Sequence, residues 1–255
     1  MHFTYDQIAG AIDHALLHPT MSDGEMVKGC ELAVKYQVAS VCVKPYFISR
    51  AAEVLAGSSV AVGTVIGFPH GSNEPEVKRY EVELACKAGA TEVDMVVNIG
   101  KVFSSDWDYV RTDIATVVTE AKKHGALTKV IFETDYLQDA ETKAQLCRIS
   151  EEAGAAFVKT STGFGFVKNS DGHFATQGAI EADLNLMRSI CSSAVGVKAS
   201  GGVRDLDTAV RWLALGCTRI GTSSTAAILE DYLRRTSGSS GETSPKTESS
   251  IRSDY

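Results

Sequence analysis

Short apolar segments alternate with longer amphipathic segments along most of the chain, and this alternation limits the fold to very few architectures. Segments with the character of buried strands lie at residues 12–17, 40–44, 61–66, 92–98, 128–133, 156–161, 195–199 and 219–222. Helical periods separate them. Parallel strands joined by helices make right-handed crossovers, so eight such units predict an α/β fold, a single (β/α)8 TIM barrel. A doubly wound open sheet is the alternative fold.

Three of the helical segments have clear boundaries in the sequence. Two are predicted to end at Gly125 and Gly154, because glycine commonly follows the last turn of a helix. A third is predicted to begin at Pro75, since proline suits the first turn. Its helical period places three apolar residues on one face, which we expect to be buried: Val77, Tyr80 and Leu84.

The end of the chain breaks the alternation. Residues 236–255 are rich in Ser, Thr and Gly and contain a single Ile, a composition typical of disordered segments. We therefore predict a barrel domain over residues 1–235 and a flexible tail over residues 236–255. The last residue, Tyr255, is a candidate to fold back over an active site, and a solvated chain end is the alternative.

Composition and charge exclude several classes of partner. The chain has 25 Lys and Arg against 32 Asp and Glu, a formal charge of -7, and no basic cluster interleaved with aromatic residues, so we expect no nucleic acid partner. The first residues lack the pattern of a signal peptide, and no apolar run approaches membrane-spanning length, so we expect a cytoplasmic protein without a membrane partner. Six scattered cysteines without a C-x-x-C pair suit reduced thiols better than disulfides or a zinc site.

Two lysines stand inside predicted strands and precede small-residue turns. Lys159 is followed by Thr160 to Gly163, and Lys198 by Ala199 to Gly202. If both project into one apolar mouth, burial and the charge of the neighbour lower the lysine pKa, and a neutral amine can attack a carbonyl. The iminium so formed withdraws electrons, which allows C–C bonds to be made or broken. Structural ion pairs are the alternative role for each lysine taken alone.

Other polar residues are predicted at the same end of the barrel, where active sites of this fold lie. Asp94 is a carboxylate within an apolar strand and is a candidate proton relay or charge partner of Lys198. Asp13 is a candidate to orient that network, although an Asp at a strand end also commonly forms turns. Cys42 is a candidate thiol near the mouth, with a small buried hydrophobic residue as the alternative.

The turns after the last two predicted strands are typical of a phosphate site. The segments 200–204 and 221–224 offer backbone N–H groups, and Ser224 opens a helix. Hydroxyl groups between Thr160 and Gly163 are candidates to contribute. Ordinary turn chemistry is the alternative explanation for these glycines.

Five segments resemble, in order, the motif series of the deoxyribose-phosphate aldolase family. They read DHALL at 13–17, VCVKP at 41–45, EVDMVVNIG at 92–100, KTSTGFG at 159–165 and KASGGVR at 198–204. The resemblance implies a class I aldolase, without metal or cofactor, that interconverts 2-deoxy-D-ribose 5-phosphate with D-glyceraldehyde 3-phosphate and acetaldehyde. It implies Lys159 as the Schiff-base lysine, Lys198 as the neighbour that lowers its pKa, and Asp94 as the proton relay.

The same resemblance implies the phosphate contacts and an assembly. The phosphate would lie on Gly163, Gly201, Gly202, Gly221, Ser223 and Ser224. The substrates are a small sugar phosphate and an aldehyde, and we expect a homodimer or another homo-oligomer. Tyr255 resembles the C-terminal tyrosine of some family members.

The chain departs from the family pattern at three places. Ala15 stands where the family usually has Thr, and Phe164 stands where some members have a phosphate-binding lysine. We therefore expect phosphate affinity to depend on Arg204 or Lys168. The loop at 166–177 is also longer than the shortest family version, which changes the rim of the site.

Two other functions are compatible with the motifs. One is a different lysine-dependent barrel, such as a transaldolase-like or ketose-phosphate aldolase, which the choice of donor, acetaldehyde or dihydroxyacetone phosphate, would distinguish. The other is a sensor that binds a sugar phosphate without turnover, since a fold alone does not determine function. A sensor, however, gains nothing from two adjacent buried amines.

Overall fold

The computed structural model describes residues 3–168 and 171–237. Ten strands occur in this part of the chain: β1 (Ile12–Leu16), β2 (Ser40–Val43), β3 (Ala61–Ile66), β4 (Glu92–Val96), β5 (Leu127–Ile131), β6 (Phe157–Lys159), β7 (Val167–Lys168), β8 (Phe174–Ala175), β9 (Gly196–Ser200) and β10 (Arg219–Thr222). Eight of them close a parallel barrel in the order β1-β10-β9-β6-β5-β4-β3-β2, and β7 and β8 form a separate antiparallel ribbon. The predicted TIM barrel is confirmed, and barrel closure excludes the open sheet.

Helices follow the barrel strands and cover them. They are α1 (Tyr5–Ala9), α2 (Asp23–Tyr36), α3 (Ile48–Val54), α4 (Pro75–Lys87), α5 (Ile99–Phe103), α6 (Trp107–Lys123), α7 (Ala140–Ala153), α8 (Glu181–Ile190), α9 (Leu206–Ala214) and α10 (Thr225–Thr236). A short 3₁₀ turn, Pro45–Phe47, precedes α3. Apolar side chains from strands and helices form one continuous core between the two layers.

Local signals in the sequence account for several element boundaries. Ser22 and Glu25 form a capping box at the start of α2, which satisfies backbone N–H groups of its first turn. Gly154 caps α7 in the left-handed conformation, as predicted. The strand predicted at 92–98 ends at Val96, because Asn98 accepts a hydrogen bond from the backbone N–H of Lys101 and caps α5.

The buried face predicted for the helix at Pro75 is wrong. Helix α4 begins at Pro75 as predicted, but Val77, Tyr80 and Leu84 are 47%, 54% and 48% exposed. The buried face includes Lys78, whose ammonium lies 2.6 Å from Asp113 Oδ2 and donates to the carbonyl of Val96. A buried ion pair therefore rotates the helix relative to the position that apolar periodicity alone favours.

The loop predicted at 166–177 and the predicted tail are described by the structure to different extents. The loop at 166–177 contains the ribbon of β7 and β8, with residues 169 and 170 outside the described residues. Helix α10 continues to Thr236, and the rest of the predicted tail from residue 238, including Tyr255, lies outside the described residues. None of the helices in the described ranges is long and apolar enough to cross a bilayer.

Candidate active site

A cavity of about 400 Å³ opens where the barrel strands end. Most of the residues predicted for the site line it: Asp13, Cys42, Lys159, Gly163, Lys198, Gly201, Gly202, Gly221, Ser223 and Ser224. Asp94 is fully buried and lies in contact with both lysines of this set. The structure thus brings together residues from six of the eight barrel strands or the turns that follow them.

Lys159 and Lys198 occupy paired positions on neighbouring strands. Lys159 ends β6 and lies in register with Lys198 of β9, so both side chains enter the barrel at the same height. Both ammonium groups contact one oxygen, Oδ2 of Asp94, at 2.9 Å from Lys159 and 2.7 Å from Lys198. Lys198 also lies 2.6 Å from Oδ2 of Asp13, whereas Asp94 is the one carboxylate among residues 3–168 and 171–237 that lies within ion-pair distance of Lys159.

This unequal pairing shifts the pKa values of the two lysines in opposite directions. Burial lowers the pKa of Lys159, and the charge of Lys198 adds to this effect against the opposing attraction of Asp94. Burial also acts to lower the pKa of Lys198, but the carboxylates of Asp13 and Asp94 outweigh it and raise that pKa. Lys159 is therefore the amine that most readily becomes neutral, and Lys198 the one that stays charged.

Asp94 is held as a carboxylate by its cationic neighbours. Burial acts to raise its pKa, but Lys129, Lys159 and Lys198 together keep the pKa of Asp94 well below its usual range. Asp13 is similar: burial opposes ionisation, while Lys129, Lys198 and Arg219 lower the pKa of its carboxyl. Asp13 also accepts a hydrogen bond of 2.7 Å from Ser40 Oγ, which fixes the orientation of its carboxylate.

Sequence reasoning missed three charged residues that contact Asp94 or Asp13 directly or through each other: Lys129, Glu92 and Arg219. Lys129 of β5 lies 2.8 Å from Asp94 Oδ1 and 2.6 Å from Glu92 Oε2, and it is 1% exposed. Arg219 of β10 donates to both oxygens of Glu92 and to Asp13. The available signal was the context of Lys129, which like Lys159 is a lysine among apolar strand residues. Glu92 and Arg219 begin their strands, where charges commonly face solvent.

The thiol of Cys42 lines the cavity beside the lysines. Burial raises its pKa to about 11, so the group is a neutral thiol at physiological pH. His14 also lines the cavity, and its Nδ1 lies 2.9 Å from Thr225 Oγ1. Burial lowers the pKa of His14 to about 4, so the imidazole is neutral.

The turns predicted to bind phosphate all contribute residues to the cavity lining. Gly201 and Gly202 have φ of +89° and +78°, a backbone conformation that residues other than glycine rarely adopt. Ser224 is the N-cap of α10, and its backbone N–H donates to Thr222 Oγ1 at 2.9 Å. The positive end of a 12-residue helix therefore faces the same space as these glycines.

Thr160 does not belong to the cavity-lining set. Its hydroxyl donates to the carbonyl of Ser200 at 2.9 Å and accepts from the backbone N–H of the same residue at 3.0 Å. The side chain, fully buried, links β6 to β9 where their regular pairing ends. Thr162 lines the cavity instead.

Two acidic residues after β5 hold the turns around the cavity. The Glu133 carboxylate accepts from the backbone N–H of Thr162 at 3.2 Å and from its hydroxyl, and burial raises the pKa of Glu133 to about 7. Glu133 itself has a φ of 58°. Asp135 accepts from Ser161 Oγ at 2.7 Å and from the N–H groups of Gln177 and Gly178 at 2.7 and 3.0 Å.

The departures from the family pattern lie at the rim. Phe164 and Arg204 line the cavity, and the ring of Phe164 packs edge-on against Phe68 at 5.3 Å between centroids. Lys168 is an exposed residue of β7 and is not among the cavity-lining residues. Of the two cations proposed to replace the missing lysine, Arg204 lines the cavity and Lys168 does not. Ala15 lines the cavity with its methyl group.

Metal binding has no evident site in residues 3–168 and 171–237, where no group of three or more His, Cys, Asp or Glu side chains could hold an ion.

One family model and several known proteins match most of this chain. The model of the DeoC/LacD family aldolase matches residues 7–229. The deoxyribose-phosphate aldolase of Enterococcus faecalis is 47% identical over 231 residues, which cover 91% of this chain and 96% of that protein. The one from Rhodopirellula baltica is 45% identical over 227 residues, 89% of this chain and 90% of its own. The tetrameric deoxyribose phosphate aldolase of Aeropyrum pernix superposes with a TM-score of 0.80 at 31% identity and covers 90% of this chain and 92% of that one.

Proposed function

The chain belongs to the DeoC/LacD family of aldolases and is a lyase that cleaves deoxyribose phosphate, and we propose that Lys159 forms the Schiff base of its reaction. The substrate is 2-deoxy-D-ribose 5-phosphate, cleaved reversibly to D-glyceraldehyde 3-phosphate and acetaldehyde. The observation that carries this assignment is the unequal pairing of the two lysines. Lys159 faces the cavity with one carboxylate partner, which it shares with Lys198.

The chemistry starts from the neutral amine of Lys159. Its Nζ attacks the C1 aldehyde of the open-chain sugar, and loss of water gives a protonated imine. A base removes the proton of the C3 hydroxyl, the C2–C3 bond breaks toward the imine, and D-glyceraldehyde 3-phosphate leaves. The remaining enamine is protonated at C2, and hydrolysis of the imine releases acetaldehyde and regenerates Lys159.

Asp94 and Lys198 are suited to move the protons. Lys198 stays cationic between Asp13 and Asp94, so it stabilises negative charge on oxygen at the cavity wall. Asp94 contacts both lysines through one oxygen, so a proton can pass between the amines through that carboxylate. A water molecule in the cavity would carry the proton to the enamine carbon.

The phosphate would bind at the turns that line the cavity with the two lysines. The backbone N–H groups of the 201–202 turn and of Ser223, and the hydroxyls of Ser223 and Ser224, are the candidate donors, and Gly163 and Gly221 line the same cavity. Arg204 lines that space and would add a cation.

Trapping the imine tests the central assignment. The protein is incubated with acetaldehyde and borohydride, which reduces an imine to a stable secondary amine, and is then digested and mapped by mass spectrometry. An ethyl group confined to Lys159 supports the proposal. An unmodified Lys159, or ethyl groups spread over surface lysines, would overturn it.

We further propose a cytoplasmic homo-oligomer. The cysteines of the described residues are all free, which suits a reducing compartment. The exposed apolar face of α4, formed by Val77, Tyr80 and Leu84, is suited to contact a second copy of the chain, and the Aeropyrum pernix relative is a tetramer. Light scattering coupled to size exclusion tests this assembly, and a mass equal to one chain for both the native protein and a Tyr80→Glu variant would contradict it.

A further inference from the structure

We propose that the triad of Lys129, Glu92 and Arg219, of which the first two are buried and Arg219 is partly exposed, sets the protonation state of Lys159 by controlling how much of the Asp94 charge that lysine receives. None of the three is among the residues that line the cavity. They are therefore positioning residues that act through Asp94. The inference rests on the proposed role of Lys159 as the Schiff-base nucleophile.

The charges inside the barrel do not balance. Four cationic side chains, Lys129, Lys159, Lys198 and Arg219, share three carboxylates, Asp13, Glu92 and Asp94, through direct contacts. An unpaired charge is strongly disfavoured in a protein interior, so the cluster is relieved when one lysine loses its proton. Which lysine does so depends on how the carboxylates are shared.

The contacts divide the carboxylates unevenly. Lys129 touches Glu92, Asp94 and Asp13 at 2.6, 2.8 and 3.3 Å, and its pKa is raised well above normal despite its burial. Lys198 touches two carboxylates and Arg219 touches two. Lys159 has one contact, at 2.9 Å, with an oxygen that Lys198 approaches more closely. Lys159 therefore has the fewest carboxylate contacts of the four cations and is the one expected to lose its proton.

Lys129 holds the other oxygen of Asp94. Its Nζ binds Oδ1 at 2.8 Å, which leaves Oδ2 for Lys159 and Lys198. Lys129 is itself fixed by Glu92, whose two oxygens are held by Arg219 at 3.0 and 3.1 Å. The triad thus both orients Asp94 and draws part of its negative charge away from Lys159.

Two substitutions are expected to act in opposite directions. Lys129→Gln removes a cation from Asp94, so the carboxylate attracts the Lys159 proton more strongly and the pKa of Lys159 rises. Glu92→Gln removes an anion from Lys129, which then depends more on Asp94, and the pKa of Lys159 falls. Cys42 and Glu133 also interact electrostatically with Lys159, and both substitutions leave these two groups in place.

The experiment measures the proton equilibrium of Lys159 directly. The rate of reductive ethylation of Lys159 by acetaldehyde and cyanoborohydride is followed by peptide mapping between pH 5 and 10 in the native protein, Lys129→Gln and Glu92→Gln. Lys143→Gln is the matched control, because Lys143 is buried in an ion pair with Asp183 outside the cavity lining. Rates corrected for the reagent's own pH dependence give the midpoint.

The expected result is a midpoint about one unit higher in Lys129→Gln, so that ethylation is roughly tenfold slower on the acid side. The midpoint moves to lower pH in Glu92→Gln and stays in place in Lys143→Gln. Midpoints that do not move in either triad variant, with Lys159 still labelled, would overturn the inference and leave the proposed function intact. Absence of label at Lys159 in the native protein would instead reject the proposed function.

A second pair of variants covers the case in which Lys129→Gln does not fold. Lys129→Arg keeps the cation and is expected to keep the native midpoint. The double substitution Lys129→Met with Glu92→Met replaces the Lys129–Glu92 ion pair by apolar groups, a replacement that proteins often tolerate, and leaves the partly exposed Arg219 its contact with Asp13. It also frees Asp94 Oδ1, so its midpoint is expected to rise as in Lys129→Gln, and an unchanged midpoint there would equally overturn the inference.

Discussion

Lys159 and Lys198 lie side by side in register on adjacent strands, and both contact one oxygen of Asp94, at 2.9 and 2.7 Å. Because Lys198 has Asp13 as a second partner, the shared carboxylate favours a charged Lys198 and leaves Lys159 the weaker base. The division of labour between two chemically identical side chains thus follows from where one further carboxylate lies.

Replacing the proposed nucleophile should remove activity and preserve the fold. Lys159→Met keeps an unbranched side chain of similar length but lacks the amine, so kcat is expected to fall at least about 10³-fold. Asp94 keeps Lys129 and Lys198 as partners, and circular dichroism should therefore match the native protein. Lys168→Met, at an exposed position of β7, is the control and should retain full turnover. Substantial residual activity in Lys159→Met would contradict the assignment.

Glu133 should make stability depend on pH. Its pKa is about 7 in the folded protein against 4.5 ordinarily, so between these values the folded state holds a proton that the unfolded state has lost. The contribution of Glu133 to the free energy of unfolding is fully present below pH 4.5. It decreases as pH rises toward 7, by about 3 kcal/mol in total.

The difference in unfolding free energy between native protein and Glu133→Gln isolates this contribution. Relative to the native protein, the variant should gain stability as pH rises from 4.5 to 7 and then remain level. Denaturant titrations at several pH values measure it, and Glu31→Gln, at an exposed position of α2, should show no such change. A native-minus-variant difference that is flat with pH would show that Glu133 ionises normally.

The residues that could be predicted from the sequence are those that violate their local pattern. Lys159, Lys198 and Asp94 are charges within apolar strands, and glycines after the last two strands indicated a phosphate site. The pairing of charged side chains inside the barrel could not be predicted in the same way: Arg219 lies 206 positions from Asp13, and the pairing of β1 with β10 brings them into contact. No local pattern identifies such a contact.

Helix α4 shows a different limit of sequence reasoning. Apolar periodicity assumes that a buried face is apolar, and this holds for most of the core. Lys78 breaks the rule because Asp113 of α6 and the Val96 carbonyl supply its partners inside the protein. When the partner of a charged residue is distant in sequence, the pattern predicts that the charged residue is exposed. The buried face of the helix is then predicted on the wrong side.

The C-terminal segment remains a proposal that kinetics can test. Deleting residues 250–255, which include Tyr255, is expected to lower kcat on the order of tenfold while leaving thermal stability nearly unchanged, since a closing segment acts on turnover more than on the barrel. Tyr255→Phe separates the hydroxyl from the ring. Steady-state kinetics and thermal melts of the same preparations decide, and unchanged kinetics in the truncated enzyme would assign Tyr255 to a solvated chain end.

Asp135 should control phosphate recognition without touching the reaction centre. Its carboxylate holds the N–H groups of Gln177 and Gly178, and Gly178 lies against Gly201 so closely that an added Cβ would come 2.4 Å from the Gly201 carbonyl oxygen. Asp135→Asn turns one acceptor into a donor that faces these N–H groups, which loosens the support of the 201–202 turn. KM for 2-deoxyribose 5-phosphate is expected to rise about tenfold, equivalent to about 1.4 kcal/mol, while KM for unphosphorylated 2-deoxyribose changes less than about twofold. Asp171→Asn, at an exposed position of the loop at 166–177, is the control, and an equal loss for both substrates would assign Asp135 a general role in folding.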